Sequence, residues 1–123
     1  MRTDIQGLRV LIVEDESLVS MLIEDMLAEI GCTVVSVAPR LDEAMRKVSS
    51  LAFDVAILDV DLNGSEAYPV AEVLARSGTP FILATGYGSA GIPESFQGAP
   101  ILAKPFEQSD LERVLVAALA SAR

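Results

Sequence analysis

Short apolar runs alternate five times with amphipathic stretches along this chain, and no other feature narrows its fold so far. Residues 8–13 (LRVLIV) read as a buried strand. Residues 17–30 follow with apolar side chains at 18, 19, 22, 23, 26, 27 and 30, a helical stripe that Gly31 closes. Residues 33–37 (TVVSV) form a β-branched second strand, and Leu41, Ala44, Met45, Val48 and Leu51 mark a second helix. Residues 54–60 (DVAILDV) make a third strand, apolar in the middle as a strand covered on both faces should be. Asn63-Gly64 turns the chain, Pro69 suits the first turn of a third helix, and Ser77-Gly78 ends that helix. Residues 80–84 (PFILA) and 100–103 (PILA) supply the fourth and fifth strands. Between them, residues 86–98 hold four of the eight glycines and no helical stripe, so a loop with at most a short or irregular helix is expected. Ser109 and Glu112 read as a capping box for the last helix, with Leu111, Val114, Leu115, Ala118 and Leu119 as its apolar face.

Five βα units with near-continuous apolar strands imply an α/β fold, a doubly wound five-stranded parallel sheet with helices on both faces. The 123 residues suit one domain over 1–123, with a core of about 7–120. On the first helix, Leu18, Leu22, Met26 and Ile30 are assigned to that core. Composition removes several functions. A net charge of −9 leaves nothing to neutralise a run of phosphates, which excludes nucleic acid and an anionic membrane surface. The absence of histidine excludes Ser-His-Asp and Cys-His chemistry and any His-ligated zinc site. The single cysteine, Cys32, allows no internal disulfide and reads as a small buried hydrophobe. With no signal region and no apolar run of about 18 residues, a cytoplasmic protein is expected.

In an open parallel sheet, sites form beyond the carboxyl ends of the strands. Glu14, Asp15 and Glu16 follow the first strand, Asp59 and Asp61 sit at the end of the third, Thr85 follows the fourth and Lys104-Pro105 the fifth. Carboxylates in that number suit Mg²⁺, a hard cation that takes about six oxygens. Without it, each pair of unit charges 4 Å apart costs roughly 1 to 4 kcal/mol, depending on screening. A carboxylate beside Mg²⁺, with a lysine and a hydroxyl opposite, is also equipped to accept a phosphoryl group.

These residues resemble the response-regulator receiver domain of two-component signalling. The likeness is carried by Val13-Glu14-Asp15, Ile57-Leu58-Asp59, Ala84-Thr85-Gly86 and Lys104-Pro105-Phe106, in order and at the proper strand ends. The resemblance implies a flavodoxin-like (βα)5 fold with strand order 2-1-3-4-5. It implies Asp59 as phosphoacceptor, and Mg²⁺ held by the side chains of Asp15 and Asp59, by Glu14 through water and by the backbone carbonyl of Asp61. Thr85 would hydrogen-bond the phosphoryl group, Lys104 would pair with its oxygens, and Gly86 would leave room for the donor. The implied partner is a sensor histidine kinase or phosphotransfer protein, with a downstream protein partner unknown and a homodimer left open. The chain would be a stand-alone signalling module that catalyses only its own phosphoryl transfer and dephosphorylation. Two departures stand out: Glu14 replaces the more usual Asp, and the switch aromatic of the fifth strand is Ile101 here. Residues 80–87 also resemble an atypical receiver group with an F-A-T-G-Y-like fourth strand, in which Tyr87 could replace the missing aromatic.

Other readings stand beside these. Asp15, Glu16 and Ser17 could simply cap the first helix. The Asp61 side chain could lie near the phosphoryl site or face water, and Tyr87 could be a plain loop aromatic. Asp59-Val60-Asp61 mimics the DxD of haloacid-dehalogenase-like phosphatases, but it follows the third strand rather than the first. A flavodoxin-like cofactor binder would need a phosphate loop where Glu14-Asp15-Glu16 would repel one. A degenerate receiver acting as a scaffold would have no need of the full set of acids, threonine and lysine.

Overall fold

The β-branched and aliphatic runs form the strands expected of them. The computed structural model describes residues 5–62, 64–86 and 91–120. Strands β1 (Arg9–Val13), β2 (Thr33–Ala38), β3 (Val55–Asp59), β6 (Phe81–Thr85) and β7 (Ile101–Ala103) build one sheet in the order β2-β1-β3-β6-β7. All its pairings are parallel. Counted within this sheet alone, that is the 2-1-3-4-5 order. A small antiparallel pair, β4 (Asp61–Leu62) and β5 (Ser65–Glu66), lies outside the sheet. The sequence places a turn at Asn63-Gly64, of which Asn63 lies outside the described residues.

Alternation along the strands decides what each face meets. Val10, Ile12, Val55, Ile57, Ile82 and Leu102 point to one side and pack under α1 (Ser17–Ile30) and α4 (Gln108–Ala120). Leu11, Val13, Ala56, Leu58 and Leu83 point to the other, beneath α2 (Leu41–Ser50) and α3 (Tyr68–Ser77). Each fully buried Leu or Ile contributes about 1.5–3 kcal/mol, so two such layers carry most of the stability.

Helix ends follow local chemistry. At Gly31 (φ 104°) and Gly78 (φ 74°) the chain enters the left-handed region, and backbone bonds from Cys32 to Leu27 and from Thr79 to Leu74 close both ends. Pro69 lies in the first turn of α3, where its missing N–H costs nothing.

In the glycine-rich stretch the described residues hold one 3₁₀ turn, Glu94–Phe96, as expected of a segment with no apolar stripe to bury. Two expectations need correction. The start of α4 is fixed by the Asp110 carboxylate accepting the Glu107 N–H at 2.8 Å, not by Ser109 and Glu112. On α1 the buried residues are Ser20, Ile23, Leu27 and Ile30, whereas Leu18 is 80% and Leu22 49% exposed. The apolar stripe is wider than the sheet can cover, and its surplus edge faces outward.

Candidate functional site

Adjacent parallel strands bring Glu14 and Asp59 together. Val13 of β1 is in register with Leu58 of β3, so the next residue on each chain emerges at the same level. Both acids are buried, at 2% and 6% exposure. On the far side of β3, Asp59 is in register with Ala84, which sets the buried Thr85 one step beyond. Lys104 follows β7, its N–H donating to the Thr85 carbonyl at 2.9 Å, and the Lys104-Pro105 peptide is cis.

Lys104 holds the centre. Its Nζ lies 3.3 Å from Glu14 Oε1 and 3.3 Å from Asp59 Oδ1. Glu14 Oε2 accepts the Glu16 N–H at 3.2 Å, and Asp59 Oδ1 accepts the Asp61 N–H at 3.3 Å. Burial, then the neighbouring Asp59, raise the Glu14 pKa from the ordinary 4.5 to about 7. Burial alone would lower that of Lys104, but the charges of Asp59 and Glu14 outweigh it and hold the ammonium above its ordinary value.

Glu14, Asp15 and Asp59 each offer a carboxylate oxygen within 4.8 Å of the others. Two buried acids and a half-buried third, sharing one lysine, leave net negative charge in a hard-oxygen setting. That donor set fits Mg²⁺. Asp61 contributes no carboxylate to this group: it is exposed, and its Oδ1 accepts the Gly64 N–H at 3.1 Å inside the hairpin. Asp61 thus stays outside the three-acid group while lining the cleft into which that group opens. Glu16 is the N-cap residue of α1 and makes no side-chain cap hydrogen bond, which weakens the reading of Asp15, Glu16 and Ser17 as mere caps.

The cluster opens into a cleft of about 520 Å³ lined by Asp15, Glu16, Asp59, Asp61, Gly64, Gly86 and Lys104. A second cleft of about 490 Å³ adjoins it at Asp61 and Gly64 and continues past Thr85 to Tyr68 and Gly91. Ile101 is half-buried on β7, and Tyr87 lies outside the described residues.

The model of the response regulator receiver domain matches residues 10–116. The chain belongs to that family. Among solved receivers it is similar to SdrG from Sphingomonas melonis Fr1, 38% identical, with a TM-score of 0.83 over 92% of this chain and 97% of that one. The receiver domain of a sensor histidine kinase from Pseudomonas aeruginosa, which has a magnesium ion coordinated in its active site cleft, is 26% identical; the TM-score is 0.79, covering 94% of this receiver and 99% of that one. The transcriptional regulatory protein PdtaR of Mycobacterium tuberculosis is 32% identical over 107 residues, 84% of this chain and 52% of that protein. This receiver thus spans about half the length of that curated relative, and 29% of another. No described helix is long and apolar enough to cross a membrane.

Proposed function

We propose that this receiver accepts a phosphoryl group on Asp59 from the phosphohistidine of a sensor kinase or phosphotransfer protein, and that 1–123 acts as one receiver unit. The observation that carries the reading is the buried Glu14–Lys104–Asp59 arrangement at the strand ends, with Thr85 one position beyond. An Asp59 carboxylate oxygen forms a bond to phosphorus as the donor's P–N bond breaks, and the departing imidazole takes up a proton. Lys104, already on Asp59 Oδ1, meets the phosphoryl oxygens, and the Thr85 hydroxyl donates to one of them. Asp15, Asp59 and Glu14 are the side chains that would hold Mg²⁺, with the Asp61 carbonyl beside them. Bound there, the ion offsets charge on the transferring group. Gly86 at the rim leaves the approach open.

A protein donor also needs ground to stand on. Beside the site, Val19, Leu22, Pro105 and Phe106 line a mostly apolar hollow of about 310 Å³ that Lys104 shares. Exposed Leu18 and Met21 extend it along α1. A protein donor covers this shelf, because Lys104 lines both the hollow and the cleft that holds Asp59.

The test is intact mass after incubation with acetyl phosphate. A single phosphoryl adduct that needs Mg²⁺ and is lost in Asp59→Asn is expected. An adduct of equal yield in Asp59→Asn, or none from either acetyl phosphate or a phosphorylated histidine kinase, would overturn the assignment.

A further inference from the structure

We propose that the open edge of β2 is a pairing surface for a second copy of this chain, and that Lys47 keeps it closed. The proposal is independent of the reading of Asp59. In the order β2-β1-β3-β6-β7, β2 has a neighbour on one side only. Its six residues, Thr33–Ala38, carry neither charge nor proline, and four of them are β-branched. A strand of that composition at an edge offers its unpaired N–H and C=O groups to any similar strand. Proteins that stay apart block such edges with a charge, a proline or a bulge.

A bulge is present. The Thr33 N–H donates to the Leu8 carbonyl and the Ala38 carbonyl accepts the Glu14 N–H, so both ends of the strand face β1. Strict alternation over the five steps between them would turn one away. The register shift resolves this: Val10 faces Val34 but Leu11 faces Ser36, which leaves Val35 as an extra residue, 36% exposed. Beyond the bulge the pairing is regular. The Val37 carbonyl, one step before that of Ala38, therefore points away from β1 into the open edge.

A charge is present too, supplied by α2. Lys47 Nζ donates to the Val37 carbonyl at 2.9 Å. Glu43, one turn earlier on the helix, holds the same Nζ at 3.1 Å, and the two side chains are only 24% and 26% exposed. A lysine ordinarily keeps its ammonium in water, so this one is committed to the strand edge. A second strand arriving there has to displace the ammonium or bury its charge beside the new pair, and that cost keeps two copies apart. Paired about a twofold axis, two β2 strands run antiparallel and each uncovered carbonyl is used twice. Removing Lys47 therefore favours self-association by roughly tenfold or more.

Sedimentation velocity of the full chain over a concentration series tests this, in salt that screens the −9 carried by each copy. Wild type and Lys47→Arg, which keeps a donor at the carbonyl, should sediment as monomers. Lys47→Met should associate at least roughly tenfold more tightly than wild type. Val35→Lys added to it should restore the monomer by setting like charges across the pair. Glu43→Gln breaks the ion pair but leaves the ammonium on Val37, and should stay monomeric. A thermal melt checks that each variant folds; should Lys47→Met not melt cooperatively, Lys47→Gln, one atom shorter, is read in its place. A folded variant without Lys47 that stays monomeric at every concentration overturns the proposal, as does a wild type that already pairs until Val35→Lys is introduced. Association produced equally by Glu43→Gln overturns it as well. So does association reversed by Leu18→Asp with Leu22→Asp but not by Val35→Lys, since the α1 shelf would then be the contact.

Discussion

Glu14 and Asp59 share one ammonium group between them, and neither shows more than a sliver of surface. This imbalance has a measurable sign. The Glu14 pKa rises from 4.5 to about 7 on folding. Between those values the folded chain holds a proton that the unfolded chain has released, so the contribution of Glu14 to stability is full below 4.5 and is lost as pH rises through about 7. In chelator, urea unfolding should show a loss on the order of 3 kcal/mol across that window. Mg²⁺ bound as proposed would compete with the proton for the same oxygens, so its stabilising effect should grow as pH rises through 7. A magnesium effect independent of pH would contradict the placement of Glu14 at the ion. These acids were legible in the sequence because a carboxylate that directly follows a buried strand is costly without a partner. The orientation of Asp61 was not, since its hairpin bond to Gly64 depends on a backbone turn rather than on residue type.

Elements were legible where period and punctuation agreed. The α1 limits, 17 to 30, came from the apolar stripe and from Gly31, whose φ of 104° suits a residue without Cβ. A Cβ there would also run into the Gln6 side-chain amide, which donates to the Ile30 carbonyl at 2.8 Å. Gly31→Ala should therefore lower stability by about 1–2 kcal/mol, read from the urea midpoint, with phosphoryl uptake unaffected. What periodicity left open was which edge of α1 faces the sheet. With apolar residues at 18, 19, 22, 23, 26, 27 and 30, several rotations of the helix bury a comparable area; the packing that occurs takes Ile23, Leu27 and Ile30. At α4, Ser109-x-x-Glu112 and Glu107-x-x-Asp110 overlap as starts, and the one with the observed backbone bond prevails. The segment 91–98 was correctly expected to lack a regular helix, but the contact of Phe96 with Tyr68 spans nearly thirty residues and left no local trace.

At the scale of the whole molecule, a chain of net charge −9 presents an apolar shelf, on α1 and around Pro105, next to an acidic cleft. A donor with an apolar face and a basic rim suits that combination. The double variant Leu18→Asp, Leu22→Asp should take up phosphoryl groups from acetyl phosphate at about the wild-type rate and from a protein donor at least tenfold more slowly. Equal losses with both donors would place the shelf's role in folding rather than docking. The proposed phosphoryl transfer turns on one oxygen atom of Asp59. An acyl phosphate is reduced by borohydride to the alcohol, so treating the phosphorylated protein and sequencing its peptides by mass spectrometry locates the bond. Homoserine at position 59 alone is the predicted result; homoserine at Asp15 or Asp61, with Asp59 intact, would contradict it.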